Sequence, residues 1–376
     1  MTWGRWFAPG RANLMGEHTD YNEGFVLPFA LAQGVIATAS ARDDGLLVLR
    51  SKQVPDEQVT VPVDALAPGV VSGWAAYPAG VAWSLSAAGH AVRGASIDID
   101  SDLPVGAGVS SSAALECSVA LALCALSGVS VPRPALAGIA RRAENDFVGA
   151  PTGIIDQSAA LLCREGHAML LDCATLQVTH VPFRPSEAGA AALIIDTRVA
   201  HALVSGEYAA RRAECEEAAR LLGVPALGSV TDLGRLGELH DPVLRRRARH
   251  VITDDARARA IATALAAGRV RDGEGEDPAD VFRFTGALLT EAHASLRDDF
   301  EVSWTEADVT VDVAITAGAL GARMIGGGFG GSVLALVPLD RLAPVCAAVT
   351  ATFVRRGWTP PEFFEAVPSA AARQLA

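Results

Sequence analysis

The sequence predicts a two-lobed protein in which strands and helices are mixed within each half. Three observations predict this. The chain has 376 residues, more than a single hydrophobic core usually organises. Residues 1 to about 180 and residues 190 to 376 each combine strand-like with helix-like runs, without an internal repeat. Between them, near 182 to 191, the string VPFRPSEAGA gathers Pro, Gly and Ala between two apolar runs, as a connection between domains does. The expected division is an N-terminal domain over 1–185 and a C-terminal domain over 186–376.

Two cores need apolar material, and the composition supplies it: 50% of the residues are hydrophobic and 20% are charged. The formal net charge of −12 and the pI near 5.1 leave no positive field for nucleic acid or for an anionic membrane surface. The opening MTWGRWFAPG lacks an apolar leader, and stretches such as 113 to 126 are too short to span a bilayer and carry Glu116. Six cysteines are scattered without a CxxC pair, so most are expected to be small buried hydrophobes in a reducing cytoplasm. Lys52 is the only lysine and has no glycine-rich turn beside it, which excludes a Walker-type phosphate loop and the lysine of protein kinases.

Helices are expected over 111 to 126 and 135 to 148. In the second, Leu136, Ile139, Ala140, Ala143 and Phe147 recur at helical spacing, Pro134 suits the helix start, and Glu144 lies beside the buried stripe. Ala95 to Asp100 and Ala192 to Asp196 read as strands. The Arg- and Ala-rich stretch 243 to 273 reads as a solvated helix, because Asp254, Asp255 and Asp272 interleave with its arginines.

Three strings carry chemistry. In LPVGAGVSSSAALE (103–116) a turn with Gly106 and Gly108 meets Ser110, Ser111 and Ser112 at the start of a helix. Glycines let backbone N–H groups approach an anion, and the helix start adds unpaired donors and a positive dipole end. The result is a phosphate cradle without lysine, or else an ordinary serine cap. APGRANLMGEHTDYNEG (8–24) sets Arg11, Glu17, His18, Asp20 and Tyr21 between turn signals, a donor and acceptor set suited to a polyhydroxylated ligand or, alternatively, a solvated turn. GAPTGIIDQSAALL (149–162) puts Asp156 at the start of a short helix, where the dipole favours the carboxylate. A later string, GARMIGGGFGGSVLALV (321–337), is expected to join a helical run to a strand through a five-glycine turn that permits close approach to a ligand or another loop.

Together these strings resemble the GHMP small-molecule kinases, and GRANLMGEHTDYNEGFVLP resembles the signature of their galactokinase branch. Similar matches in SGEYAARRAECEEA, RHVITDDAR and SLRDDFEVSWTEAD extend the resemblance over nearly the whole chain. It implies a two-domain α+β fold, with helices on a mainly antiparallel sheet in each domain and the active site in the cleft between them. It also implies phosphoryl transfer from Mg-ATP to the anomeric hydroxyl of galactose. On this resemblance Asp156 is the base and Arg11 its partner, and Glu17, His18, Asp20, Gly153 and Tyr208 contact the sugar. Gly106, Gly108, Ser110, Ser111 and Ser112 serve ATP, Trp74 in GWAAYPAGV lies against the base, and Ser112 with Glu144 holds Mg²⁺. Thr152 stands where the family commonly has cysteine, next to Gly153, and so bears on sugar preference. Ser332 stands where the third motif often ends in cysteine, and Ile325 where threonine is frequent. A kinase for N-acetylgalactosamine or arabinose, or a non-catalytic galactose and ATP sensor, is the alternative, and a monomer or weak homodimer is expected.

Overall fold

A computed structural model of the chain describes residues 2–104, 106–200, 205–270 and 278–375. The N-terminal half builds strands β1 (Trp3–Asn13), β2 (Phe25–Val26), β3 (Pro28–Arg42), β4 (Leu46–Ser51), β5 (Val54–Pro62), β6 (Gly94–Ser101), β7 (His167–Asp172) and β8 (Val178–Pro182). Its helices are α1 (Ala76–Ala87), α2 (Ser111–Ser127), α3 (Arg133–Arg142) and α4 (Ile155–Leu162). The C-terminal half contributes β9 (Ala190–Asp196), α5 (Ser205–Leu221), α6 (Pro242–Ala267), α7 (Pro278–Asp298), α8 (Thr305–Thr316), β10 (Gly321–Ile325), β11 (Ser332–Pro338), α9 (Leu342–Arg356), β12 (Glu362–Glu365) and β13 (Arg373–Leu375).

One sheet runs β13-β1-β3-β6-β4-β5, antiparallel except for the β4–β6 pair. A second runs β10-β11-β9-β12 and is antiparallel throughout; a small third sheet runs β2-β7-β8. Helix α2 covers β1 and β3, while α7 and α8 cover β10. The fold is therefore mixed α+β, as expected. Two apolar clusters form, one around Trp6, Phe29 and Phe183, the other around Phe300, Val333 and Phe353. The first also takes in Ala192, Ile194, Ile261, Leu289 and Ala372 from the later half, so its core is completed by the far end of the chain.

The strands at 95–100 and 192–196 and the helix at 111–126 form where periodicity places them, and the connection at 185–188 is a single 3₁₀ turn. Three local expectations need correction. The helix over 135–148 changes at Ala143 into a π turn that ends at Val148, and this shift of phase carries Glu144 inside, 4% exposed, instead of beside the stripe. Residues 321–325 are a fully buried strand paired with β11, not the end of a helix, and Gly321 lies so close to Gly286 that a Cβ there would meet its carbonyl oxygen at 1.8 Å. Finally, the helix expected over 243–273 exists as α6 only to Ala267, with 271–273 and their Asp272 outside the described residues, and Arg247, His250, Asp254 and Asp255 are buried, so the helix is not a solvated one.

Candidate active site

Arg11 lies just past the register shift in β1 between Pro9 and Arg11, and its side chain reaches the start of α4. There its Nε donates to Asp156 Oδ1 at 2.8 Å, and Nη2 lies 2.8 Å from the same oxygen. Its Nη1 donates to the Gly108 carbonyl at 2.6 Å, and its backbone N–H to Val109 O at 3.1 Å. One guanidinium therefore joins the helix-start carboxylate to the glycine–serine loop. The ion pair is shielded but not sealed, with side-chain exposures of 8% and 18%.

The loop itself has Gly106 and Gly108 at positive φ and Ser110 in the left-handed region at φ 60°, ψ 50°. Ser110 occupies the N-cap of α2 but makes no capping bond; its Oγ is buried and unpartnered, and the first turn has no acidic residue. The plain serine-cap reading fails for this reason. A 17-residue helix presents its donors and an unused hydroxyl toward the loop, the arrangement that suits an anion. Ser111 is exposed and Ser112 partly so.

Next to Asp156 lies the segment 16–24. Gly153 abuts the Asp20 carboxylate so closely that a Cβ there would fall 1.6 Å from Oδ2. Burial, then the charge of Asp156, raises the Asp20 carboxyl to about 6. His18 Nδ1 is 3.0 Å from the Tyr21 hydroxyl, and its ring is 5.3 Å from that of Tyr208 and 4.8 Å from that of Phe300. Burial, reinforced by His250, lowers His18 to about 3, so the imidazole is neutral. Burial raises the Tyr208 phenol, which packs between His18, Tyr21 and Gly327. Glu17 Oε1 accepts from Arg323 Nη2 and from the Gly326 N–H, both at 3.0 Å, which leaves Oε2 for another partner.

Glu144 forms a second carboxylate centre. Its Oε2 accepts from Thr152 Oγ1 and from Gln157 Nε2, each at 2.7 Å. Burial raises its pKa, while the hydroxyls of Thr152 and Ser112 and the Gln157 amide favour the charged form. Gln157 Nε2 also donates to Glu116 at 3.0 Å, whose carboxyl burial raises further. Tyr77 of α1 lies near enough for Glu144 and Glu116 to reinforce the upward shift that burial gives its phenol. Trp74, just before α1, packs on the N-terminal core with Nε1 buried and unpartnered, and no hydrogen bond or ring contact among the described residues joins it to the loop.

The glycine turn at 326–331 joins these parts. Gly326 faces Gly108, Gly327 faces Tyr208, Gly328 faces Val302, and Ser332 Oγ donates to the Ala107 carbonyl at 2.7 Å. Sequence reasoning missed the supports behind the site: Gln157, Glu116, Arg323, His250 and Asp254. Arg323, a charge within the apolar string GARMI, was the one visible signal.

The chain is similar to known proteins over nearly its whole length. The family model for the galactokinase galactose-binding signature matches residues 2–41, that for the GHMP kinases N terminal domain residues 76–164, and that for GHMP kinases C terminal residues 285–355. A galactokinase of Streptomyces coelicolor is 47% identical over 99% of this chain and 94% of its own. One from Mycobacterium tuberculosis is 45% identical over 94% of each chain. The crystal structure of Lactococcus lactis galactokinase complexed with galactose superposes with a TM-score of 0.92 at 32% identity, over 99% of this chain and 95% of that one. Methanococcus jannaschii mevalonate kinase, at 14% identity and TM-score 0.65 over 99% of this chain and 98% of its own, shares the fold.

Proposed function

The chain belongs to the galactokinases, within the GHMP kinases, and we propose that it moves the γ-phosphoryl group of ATP to the anomeric hydroxyl of α-D-galactose with Asp156 as the base. The observation that carries the assignment is the guanidinium of Arg11 held between Asp156 Oδ1 and the Gly108 carbonyl. Phosphoryl transfer asks a protein mainly to position the reactants and to balance spreading charge. Asp156 accepts the proton of the attacking sugar hydroxyl, and Arg11 holds that carboxylate in place through its ion pair and offers positive charge to the phosphate beside it. Backbone N–H groups from Gly106 to Ser112 and the Ser110 hydroxyl hold the phosphates, and Trp74 lies against the base. On the sugar, Asp20 and Glu17 accept from hydroxyls, His18 and Tyr208 line the ring's edge, and Gly153 leaves the room that Asp20 occupies.

Ser112 and Glu144 fit Mg²⁺, a cation that takes one or two protein oxygens and completes its shell with substrate phosphates. Bound there with the nucleotide, it supplies charge neutralisation on the phosphate oxygens. The site lies in the cleft between residues 1–185 and 186–376, which we take as the two domains. A monomer or weak homodimer is the state we expect. All six cysteines are free, in keeping with a reducing cytoplasm.

Galactose-dependent ADP release across a panel of sugars tests the substrate, and galactose is expected to lead it. For the base, Asp156→Asn is expected to keep both substrates bound while turnover falls by roughly 10²–10⁴. Turnover near that of the parent would remove Asp156 from this role.

A further inference from the structure

Thr152 adjoins the sugar-facing Gly153, yet its side chain points the other way. Its Oγ1 is 2.7 Å from Glu144 Oε2, and its backbone is clipped on both sides by Asn145, which accepts from Thr152 N at 3.0 Å and donates to Thr152 O at 3.2 Å. The same Oγ1 is 3.1 Å from Asn145 Oδ1, but a hydroxyl has one proton, and the nearer, charged oxygen takes it. Gln157 is the other donor on Oε2, and its amide is divided between Glu144 and Glu116. Thr152 thus supplies a hydrogen bond to Glu144 Oε2 whose donor serves no second carboxylate, beside the Gln157 amide that is shared and the Ser112 hydroxyl that also bonds Glu144.

We propose that Thr152 is a positioning residue for Glu144: with Gln157 it pins Oε2 and thereby fixes which carboxylate oxygen is offered to the metal–nucleotide complex. Position 152 then sets the Mg²⁺ dependence of nucleotide binding and not the choice of sugar, contrary to what its neighbour in the sequence suggests. A hydroxyl suits this better than a thiol in its place would, because S–H is a weak donor and would loosen the hold on Oε2. Partners that orient a metal ligand in this way are typically worth about 10–100-fold in metal affinity.

This rests on the assignment of Glu144 to the metal, so the experiment carries a control for that assignment. Calorimetry measures ADP affinity with and without Mg²⁺ on the full-length chain, and galactose KM is measured alongside. Thr152→Val is expected to cut the Mg²⁺-dependent tightening of ADP by about tenfold, with galactose KM unmoved and Thr152→Ser restoring the tightening. Thr152→Ala gives the same readout should the valine variant not fold. Full tightening in Thr152→Val alongside its loss in Glu144→Gln would overturn the role of Thr152 alone. Full tightening in Glu144→Gln would overturn the metal assignment itself, and the proposal with it.

Discussion

Asp20 and His18 are adjacent in purpose but opposite in titration. Burial lifts the Asp20 carboxyl from 3.8 to about 6 and drives the His18 imidazole down to about 3. As pH falls through about 6, Asp20 takes up a proton and ceases to be an anionic acceptor, while His18 stays neutral over the same range. Galactose affinity is therefore expected to weaken below about pH 6, with calorimetry from about pH 5 to 8 as the measurement and Asp20→Asn erasing the inflection. The stability effect has the opposite direction. A carboxyl raised on folding costs nothing while both states are protonated, then removes stability as pH climbs from about 4 to about 6, and is constant above. Gly153 gives a steric counterpart. A methyl group there would lie 1.6 Å from Asp20 Oδ2, so Gly153→Ala must displace Asp20 and is expected to raise galactose KM steeply with ATP KM little changed. An equal rise for both substrates would count against the sugar-side placement of this pair.

Helix α6 shows what one element can impose on a distant loop. Asp254 Oδ2 accepts from the backbone N–H groups of both Gly16 and Glu17 at 3.1 Å, Asp255 Oδ1 accepts from Phe25 N at 2.7 Å, and His250 Nε2 is 3.1 Å from Glu17 O. A carbonyl partner makes Nε2 the donor, so His250 Nδ1 accepts from the Ser295 hydroxyl at 3.0 Å. Asp254→Ala strands two buried N–H groups at about 1–3 kcal/mol each. Thermal melts should show the lost stability, and galactose affinity should fall with it. Asp254→Asn keeps one carbonyl acceptor and should lose less of both. None of this was legible in the sequence, where the aspartates of α6 resemble a salt-bridged surface. Arg11, Asp156 and the serine loop were legible because each sits in a short string with its own turn residues. The supports were not, because their partners are remote in the chain: Asp254 is 237 residues from Glu17, and Arg323 is 306 from it. Local pattern predicts periodicity, and it placed α2, β6 and β9 well; it carries no information on which buried carboxylate finds which backbone.

On the scale of the molecule, the N-terminal sheet is finished by the C-terminus. Strand β13 pairs with β1 at Arg5, Trp6 and Phe7, Arg373 stacks 4.8 Å above the Phe7 ring, and Ala372 N donates to Ala160 O. A fragment of residues 1–185 therefore lacks an edge strand and part of its core, and is expected to melt without a cooperative transition in circular dichroism. The glycine turn at 326–331 has a different reach. It touches the serine loop through Gly326 and Ser332 and the sugar side through Tyr208, and at Gly328 the backbone has φ 83° with the Val302 carbonyl 2.4 Å from any added Cβ. Whatever moves this turn moves both substrate pockets together. Directed evolution toward new sugars should accordingly find few useful variants there, since each gain on the carbohydrate would be accompanied by a loss on the nucleotide; the tunable positions lie on the Asp20–Gly153 side, where one pocket can change while the other stays as it is.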